Sequence, residues 1–290
     1  MEDETEVKVL TAWEKVQLSR HPQRPLTIDY IENLFDDFIE LHGDRLYGDD
    51  PALIGGLGIF GGMGVIVFGH NKGKNIKENV NKNFGMPHPE GYRKALRLMR
   101  LAERWNLPVI SFIDTPGAYP GIGAEERGQG EAIGRNILEA FEIRTPILVV
   151  VIGEGGSGGA LGIGVGDRVL MLENAVYSVI SPEGCAAIIW KDSKQAEKAA
   201  ESLKLTAQDL FRLNIIDEII PEPPGGAHTD MMATMKSVKD CILKNLEEIC
   251  SKDPDTLLKE RYQKVRRIGI FEEKLVPKAG VEPAWSQSST

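Results

Sequence analysis

The sequence predicts an α/β fold around a buried, parallel-paired sheet, and three observations carry that prediction. Two short apolar runs, Val109–Ile113 and Ile147–Ile152, have strand length and each is followed at once by a glycine-rich loop. Helix-patterned stretches separate them, with no hairpin turn between, which calls for parallel pairing with both faces covered. The glycine loops fall where strands end, the place at which open α/β sheets hold their ligands.

The elements follow in chain order. Leu10–Leu18 reads as a short helix, broken by His21-Pro22 and Arg24-Pro25. Ile28–Glu40 reads as a second helix, with Ile28, Ile31, Leu34, Phe35 and Phe38 on one stripe. Ala52–His70 is strand, glycine turn, strand: a hairpin signal. Lys72–Asn83 is polar and basic, and Pro89–Trp105 is a helix. Glu125–Phe141 reads as one helix, Val169–Leu172 and Val176–Ile180 as strands, and Pro182–Trp190 as a helix opened by proline. Met231–Ile249 and Asp255–Val265 are helices, and the tail Lys274–Thr290 reads as unstructured.

Composition narrows the function. The 290 residues are 42% hydrophobic and 27% charged, enough apolar surface to offset chain entropy. A net charge of −9 argues against general nucleic-acid binding, which needs a basic face. No apolar run approaches the roughly 18 residues of a membrane span. Three scattered cysteines, Cys185, Cys241 and Cys250, fit neither a disulfide scaffold nor an all-cysteine zinc site, so no metal is expected and a reducing compartment is.

The loop Gly153–Gly159 satisfies three patterns. Gly153, Gly155 and Gly158 fit the dinucleotide fingerprint, with Glu173 near the ribose position, but two strands and a helix already precede it. Gly155, Ser157 and Gly159 fit a nucleophile elbow, for which Asp217 and His228 are the one acid and histidine in the right order. A run of small residues at a helix start is also a nest of backbone N–H groups able to hold an oxygen that becomes negative during reaction. Close helix–strand packing explains the same glycines without any site. No Gly-Lys-Ser/Thr follows, which excludes a P-loop. A second loop, Asp114–Gly121, ends the preceding strand, so the two loops point to one pocket.

Seven strings taken together resemble one family. They are RHPQRP (Arg20–Pro25), NFGMPHPEGYRKALRLM (Asn83–Met99), FIDTPGAYPG (Phe112–Gly121), ERGQGEAI (Glu126–Ile133), VIGEGGSGGALGIGVGD (Val151–Asp167), YSVISPEGCAAI (Tyr177–Ile188) and IIPEPPGGAH (Ile219–His228). The family is the α subunit of the carboxyltransferase of multi-subunit acetyl-CoA carboxylase, and the likeness runs from about Thr11 to about Ile268. The resemblance implies a crotonase-like (ClpP/crotonase) β-β-α spiral. It implies a helical N-terminal segment over 1–27, shorter than in bacterial members, the carboxyltransferase domain over 28–268, and a flexible tail over 269–290. It implies an α2β2 assembly with a β subunit that carries a zinc ribbon, working with a biotin carboxyl carrier protein and biotin carboxylase in bacterial cytoplasm or plastid stroma.

The implied reaction moves a carboxyl group from carboxybiotin, carried on the separate carrier protein, to acetyl-CoA, giving malonyl-CoA for fatty acid synthesis. No cofactor is expected bound covalently to this chain. By the same resemblance, the N–H groups of Gly158, Gly159 and Ala160 face the biotin ureido oxygen. Gly155 and Gly156 shape the nest, Gly117 and Ala118 line the opposite wall, and Arg127 orients substrate carboxylate. Replacing Gly159 by valine is expected to stop turnover while leaving the fold. The basic stretch Lys72, Lys74, Lys77, Lys82, Arg93, Lys94 and Arg97 has two readings: attraction of CoA phosphates or a partner subunit, and an ordinary solvated face. Two rivals stand beside the main reading. One is a self-sufficient acyl-CoA hydratase or isomerase using Glu154; the other is a non-catalytic assembly subunit.

Overall fold

The structure, a computed structural model, describes residues 10–269; the expected flexible tail lies outside the described residues, apart from Gly269. It contains strands β1 (Asp36–Glu40), β2 (Leu53–Phe60), β3 (Met63–His70), β4 (Val109–Thr115), β5 (Ile147–Gly156), β6 (Arg168–Leu172), β7 (Val176–Ser178) and β8 (Glu218–Ile220). The helices are α1 (Ala12–Ser19), α2 (Thr27–Leu34), α3 (Ile76–Asn81), α4 (Pro89–Trp105), α5 (Ile122–Glu126), α6 (Gln129–Ala140), α7 (Ser157–Leu161), α8 (Pro182–Trp190), α9 (Ala196–Leu203), α10 (Ala207–Arg212), α11 (Met231–Cys250) and α12 (Pro254–Arg266).

All the strands join one sheet in the order β1-β2-β3-β4-β5-β6-β8, with β7 paired to β5 off that path. The β1-β2-β3 end is antiparallel, and β3-β4-β5-β6-β8 is parallel. The hairpin turns through Gly61 (φ +56) and Gly62 (φ +83), the two left-handed positions a tight hairpin requires. Strands β4 and β5 are the centre of the core: Val109–Thr115 and Ile147–Gly153 are buried throughout, so they are apolar without alternation.

The long strand β5 forks. Its first half pairs with β6 through Leu148–Val151, and its last three residues, Glu154–Gly156, pair with β7. The fork carries the glycine segment past the β6 edge and delivers it to the start of α7. Helix α4 packs with α6 and against β2 and β3; α2 packs with α11 and spans β1 to β4.

Two expected helices are corrected. The stripe over Ile28–Glu40 is helical only to Leu34; Asp36–Glu40 is strand β1, paired antiparallel to β2 with an irregular register between Asp36 and Ile39. The outer edge of β2 needs hydrogen-bond partners, and that requirement overrides the helical periodicity. The stretch Glu125–Phe141 is two helices, because Gly128 takes φ +84 between α5 and α6. Helices α9 and α10 and strand β8 were outside the sequence expectation altogether.

Candidate functional site

The two glycine loops meet. Strand β4 ends in Asp114-Thr115-Pro116-Gly117, and β5 ends in Gly155-Gly156 before α7. A Cβ on Gly156 would stand 2.2 Å from the Pro116 carbonyl oxygen, and one on Gly159 would stand 2.3 Å from the Gly117 carbonyl carbon. Both positions therefore serve close backbone approach. Gly158 differs: the nearest atom to its Cβ position is Ile133 Cδ1 at 3.8 Å, an ordinary contact. The expectation that Gly159→Val leaves the fold untouched is corrected: its side chain meets the Gly117 backbone, which must shift to admit it.

Helix α7 has Gly156 as its N-cap. A helix leaves its first N–H groups without intrahelical partners, and the fourth residue makes the first bond, back to the cap carbonyl. Ser157, the first residue of α7, instead takes φ +51, so the chain enters the helix through a left-handed turn, and the N–H groups of Gly158 and Gly159 come next, ahead of Ala160. Ala160 is fully buried behind them. Gly117 and Ala118 do stand opposite, against Gly159, but the Gly117 N–H is already donated to Thr115 Oγ1 at 3.1 Å.

Side chains that the sequence reading gave no role hold this junction. His70, at the end of β3, is fully buried. Its Nδ1 accepts the Asp114 N–H at 3.3 Å and its Nε2 lies 3.2 Å from the Gly159 carbonyl. The neutral ring protonated on Nε2 satisfies both. Burial pushes its pKa down to about 4, so the ring is neutral at pH 7. Tyr92 Oη donates to the same Gly159 carbonyl at 3.4 Å. The pair holds the middle of α7 at the Gly159 carbonyl and thereby the aim of its first turn. Asp114 Oδ1 accepts Lys72 Nζ at 2.6 Å and the Glu154 N–H at 3.0 Å, tying β3, β4 and β5 together.

A second frame comes from the N-terminal segment. Arg20 Nε pairs with Glu154 at 2.7 Å and its Nη1 with Glu183 of α8 at 2.6 Å. Arg24 donates to the Ile152 carbonyl at 2.7 Å and forks onto buried Glu222. RHPQRP thus binds the strings that contain Glu154, Glu183 and Glu222. The signal available beforehand was three family strings, each bringing at least one acidic residue.

Other sequence candidates fall elsewhere. Arg127 is not a free cation: it forks onto Glu90 (2.6 and 3.2 Å) and lies 4.4 Å above the Tyr47 ring. Its expected part in orienting carboxylate is corrected to that of a strut between α4 and α5. Glu154 is engaged by Arg20, and Glu173 accepts the Glu222 N–H. The serine triad is not assembled: Asp217 pairs with Lys264 and His228 stacks on His21 at 3.6 Å, and no hydrogen bond joins either to Ser157. Most of the basic stretch is internally paired, Lys72 with Asp114, Lys74 with Asp29, Lys94 with Asp49 and Arg93 with Asp44. Among the described residues no His/Cys/Asp/Glu group is arranged to hold a metal, and no helix is long and apolar enough to cross a membrane.

A mixed sheet with a backbone-lined cleft at the ends of its central parallel strands defines the class: a crotonase-like carboxyltransferase fold. Solved structures of that class overlay on it, at identities that speak to fold alone. The transcarboxylase 12S core gives a TM-score of 0.64 at 18% identity over 82% of this chain and 45% of that one. The Pseudomonas malonate decarboxylase MdcD–MdcE heterodimer gives 0.60 at 17% identity over 75% of this chain and 90% of that one. Residues 2–269 match the family model described as acetyl co-enzyme A carboxylase carboxyltransferase-like, and the chain belongs to that family. Proteins named acetyl-coenzyme A carboxylase carboxyl transferase subunit alpha are 57% identical over 263 residues in Listeria monocytogenes, covering 91% of this chain and 83% of that protein. In Thermus thermophilus the figure is 56% over 264 residues, covering 91% and 85%.

Proposed function

We propose that this chain forms the biotin-facing half of an acetyl-CoA carboxylase carboxyltransferase site, in bacterial cytoplasm. In this reading the partner proteins are a zinc-ribbon β subunit in an α2β2 assembly, a biotin carboxyl carrier protein and biotin carboxylase. Carboxybiotin on the carrier supplies the carboxyl group that converts acetyl-CoA to malonyl-CoA. One observation carries the reading: α7 opens with backbone donors, at the junction of two strand ends, where no nucleophile and base are hydrogen-bonded together.

The residues fit that group by the chemistry of their donors. Negative charge grows on the biotin ureido oxygen as the carboxyl group departs, and the N–H groups of Gly158 and Gly159 donate to it without titrating. Gly156 admits the second loop and Gly155 makes room for Tyr177, so Gly117 and Ala118 wall the cleft. His70, Tyr92 and Asp114 keep the donors aimed while charge develops, so little reorganisation accompanies the reaction. Exposed Ile122 (79%), Leu138 (65%) and Leu161 (42%) on α5, α6 and α7 supply apolar surface for a partner to cover. With Glu154 paired to Arg20, the loop carboxylate on which the hydratase reading relied is engaged.

The test is reverse transfer: malonyl-CoA and free biotin are supplied and acetyl-CoA is followed, with and without β. Activity is expected with β and absent without it. Gly158→Val, which meets no fixed backbone, is expected to lower turnover by about a hundredfold at unchanged melting temperature. Turnover by this chain alone, or full activity in Gly158→Val, overturns the assignment.

A further inference from the structure

A second cleft, of about 460 Å³, runs between the 41–51 loop and α4. Six arginines line it: Arg45, Arg93, Arg97, Arg100, Arg104 and Arg135. Positions 93, 97, 100 and 104 lie on one face of α4 by helical spacing. Three of the six are neutralised. Arg93 pairs with Asp44 at 2.8 Å, Arg135 with Glu131 at 2.5 Å, and Arg100 with Glu139.

The other three, Arg45, Arg97 and Arg104, ion-pair with no carboxylate among the described residues. Arg97 is instead fixed on the carbonyls of Gly43 (3.0 Å), Leu41 (3.4 Å) and His42 (3.3 Å). Arg45 donates to the His42 carbonyl at 2.7 Å. Burial, and then the neighbouring charge of Arg45, lower the proton affinity of Arg97. Asp49 and Asp44 offset part of the repulsion between Arg45 and Arg97, and a bound anion offsets more. The 41–51 loop holds Arg97 through three of its carbonyls, while Arg45 and Arg104 stay exposed.

Three leucines also line the cleft: Leu96 is buried, Leu101 half-buried and Leu46 exposed on the loop. We propose that this cleft binds a nucleoside-diphosphate moiety. The diphosphate lies on Arg45, Arg97 and Arg104, whose planar forks match phosphate oxygens, and the base lies on the leucines. Its volume is in the range of small-molecule sites. The proposal concerns binding alone and stands apart from the reaction assigned to the glycine cleft.

Calorimetric titration of the full chain, alone and with β, tests it with three probes: ADP, inorganic pyrophosphate and coenzyme A. Saturable binding of ADP and weaker binding of pyrophosphate are expected. Arg104→Ala removes no hydrogen bond or ion pair within the described residues, so it folds normally and weakens ADP about tenfold. Arg97→Ala weakens it at least as much, and Arg144→Ala, outside the cleft, leaves it unchanged. Tighter binding of coenzyme A than of ADP says that the moiety is the tail of that thiol; equal or weaker binding says that it is a free nucleotide. Absence of saturable binding by ADP and pyrophosphate at roughly 1 mM overturns the proposal. So does unchanged ADP affinity in the Arg97→Ala/Arg104→Ala double variant, and so does binding of polyglutamate alone, which would mark a protein-docking surface.

Discussion

The glycine cleft and the arginine cleft recognise anions by opposite means. In the first, the donors are backbone N–H groups, set by a short helix whose middle carbonyl, that of Gly159, is held by buried His70 and Tyr92. In the second, the donors are side chains of α4 and the 41–51 loop; Arg45, Arg97 and Arg104 are exposed or half-exposed and without a carboxylate among the described residues. The backbone cleft has its geometry built in before ligand arrives, which suits an oxygen whose charge exists only during reaction. The arginine cleft offers standing positive charge, which suits a ligand already anionic. The difference teaches that a cleft nearly bare of side-chain chemistry depends more on its buried supports than a cleft full of it.

The first way to break that comparison is to remove a support. Lys72→Met leaves Asp114 buried without its cation, and a loss of about 3–5 kcal/mol is expected by chemical denaturation. Removing Arg100, an exposed partner of Glu139 in the arginine cleft, is expected to cost no more than about 1 kcal/mol. Comparable losses from the two would dissolve the contrast.

Acid provides the next effect. His70 is held neutral in the fold with its pKa near 4, against 6.5 for the free side chain. Below pH 6.5 the unfolded chain takes up the proton and the folded chain does not, so stability falls as pH drops from about 6.5 toward 4. The full difference is on the order of 3 kcal/mol. Denaturant titrations at pH 7 and pH 5 measure it. His70→Gln, which keeps a donor for Gly159, is expected to flatten that slope; an unchanged slope removes His70 as its source.

A smaller loss sharpens the reading of the glycines. Gly159→Val is expected to cost about 1–3 kcal/mol as well as turnover, because Gly117 must move. Gly158→Ala is expected to stay within about 0.5 kcal/mol of the parent. Paired melting curves decide, and an equal cost at both positions would mean that the loops do not meet as described.

Much of the fold was readable from sequence. The hairpin, α4, α8 and the strand runs β4 and β5 were placed within a few residues, because buried parallel strands and proline-opened helices leave local marks. The two errors have a common cause. Phe35 and Phe38 extend a helical stripe numerically, but β2 needs an edge partner, and that need lies in another part of the chain. Gly128 sits inside an otherwise continuous helical pattern, and the reason to break there is the Gln129 side chain reaching the carbonyls of Pro87 and Tyr119.

The site shows the same division. By itself the sequence determined where small residues cluster, that the clusters follow strands, and, through its ordered strings, which family it joins. Those are properties of neighbouring residues and of composition along the chain. Only the tertiary structure decided that Gly159 is packed and Gly158 is open, that Arg127 is spoken for by Glu90, and that His70 bridges Asp114 and Gly159. Each of those facts depends on atoms separated by 25 residues or more in sequence, and no local periodicity encodes a contact at that range.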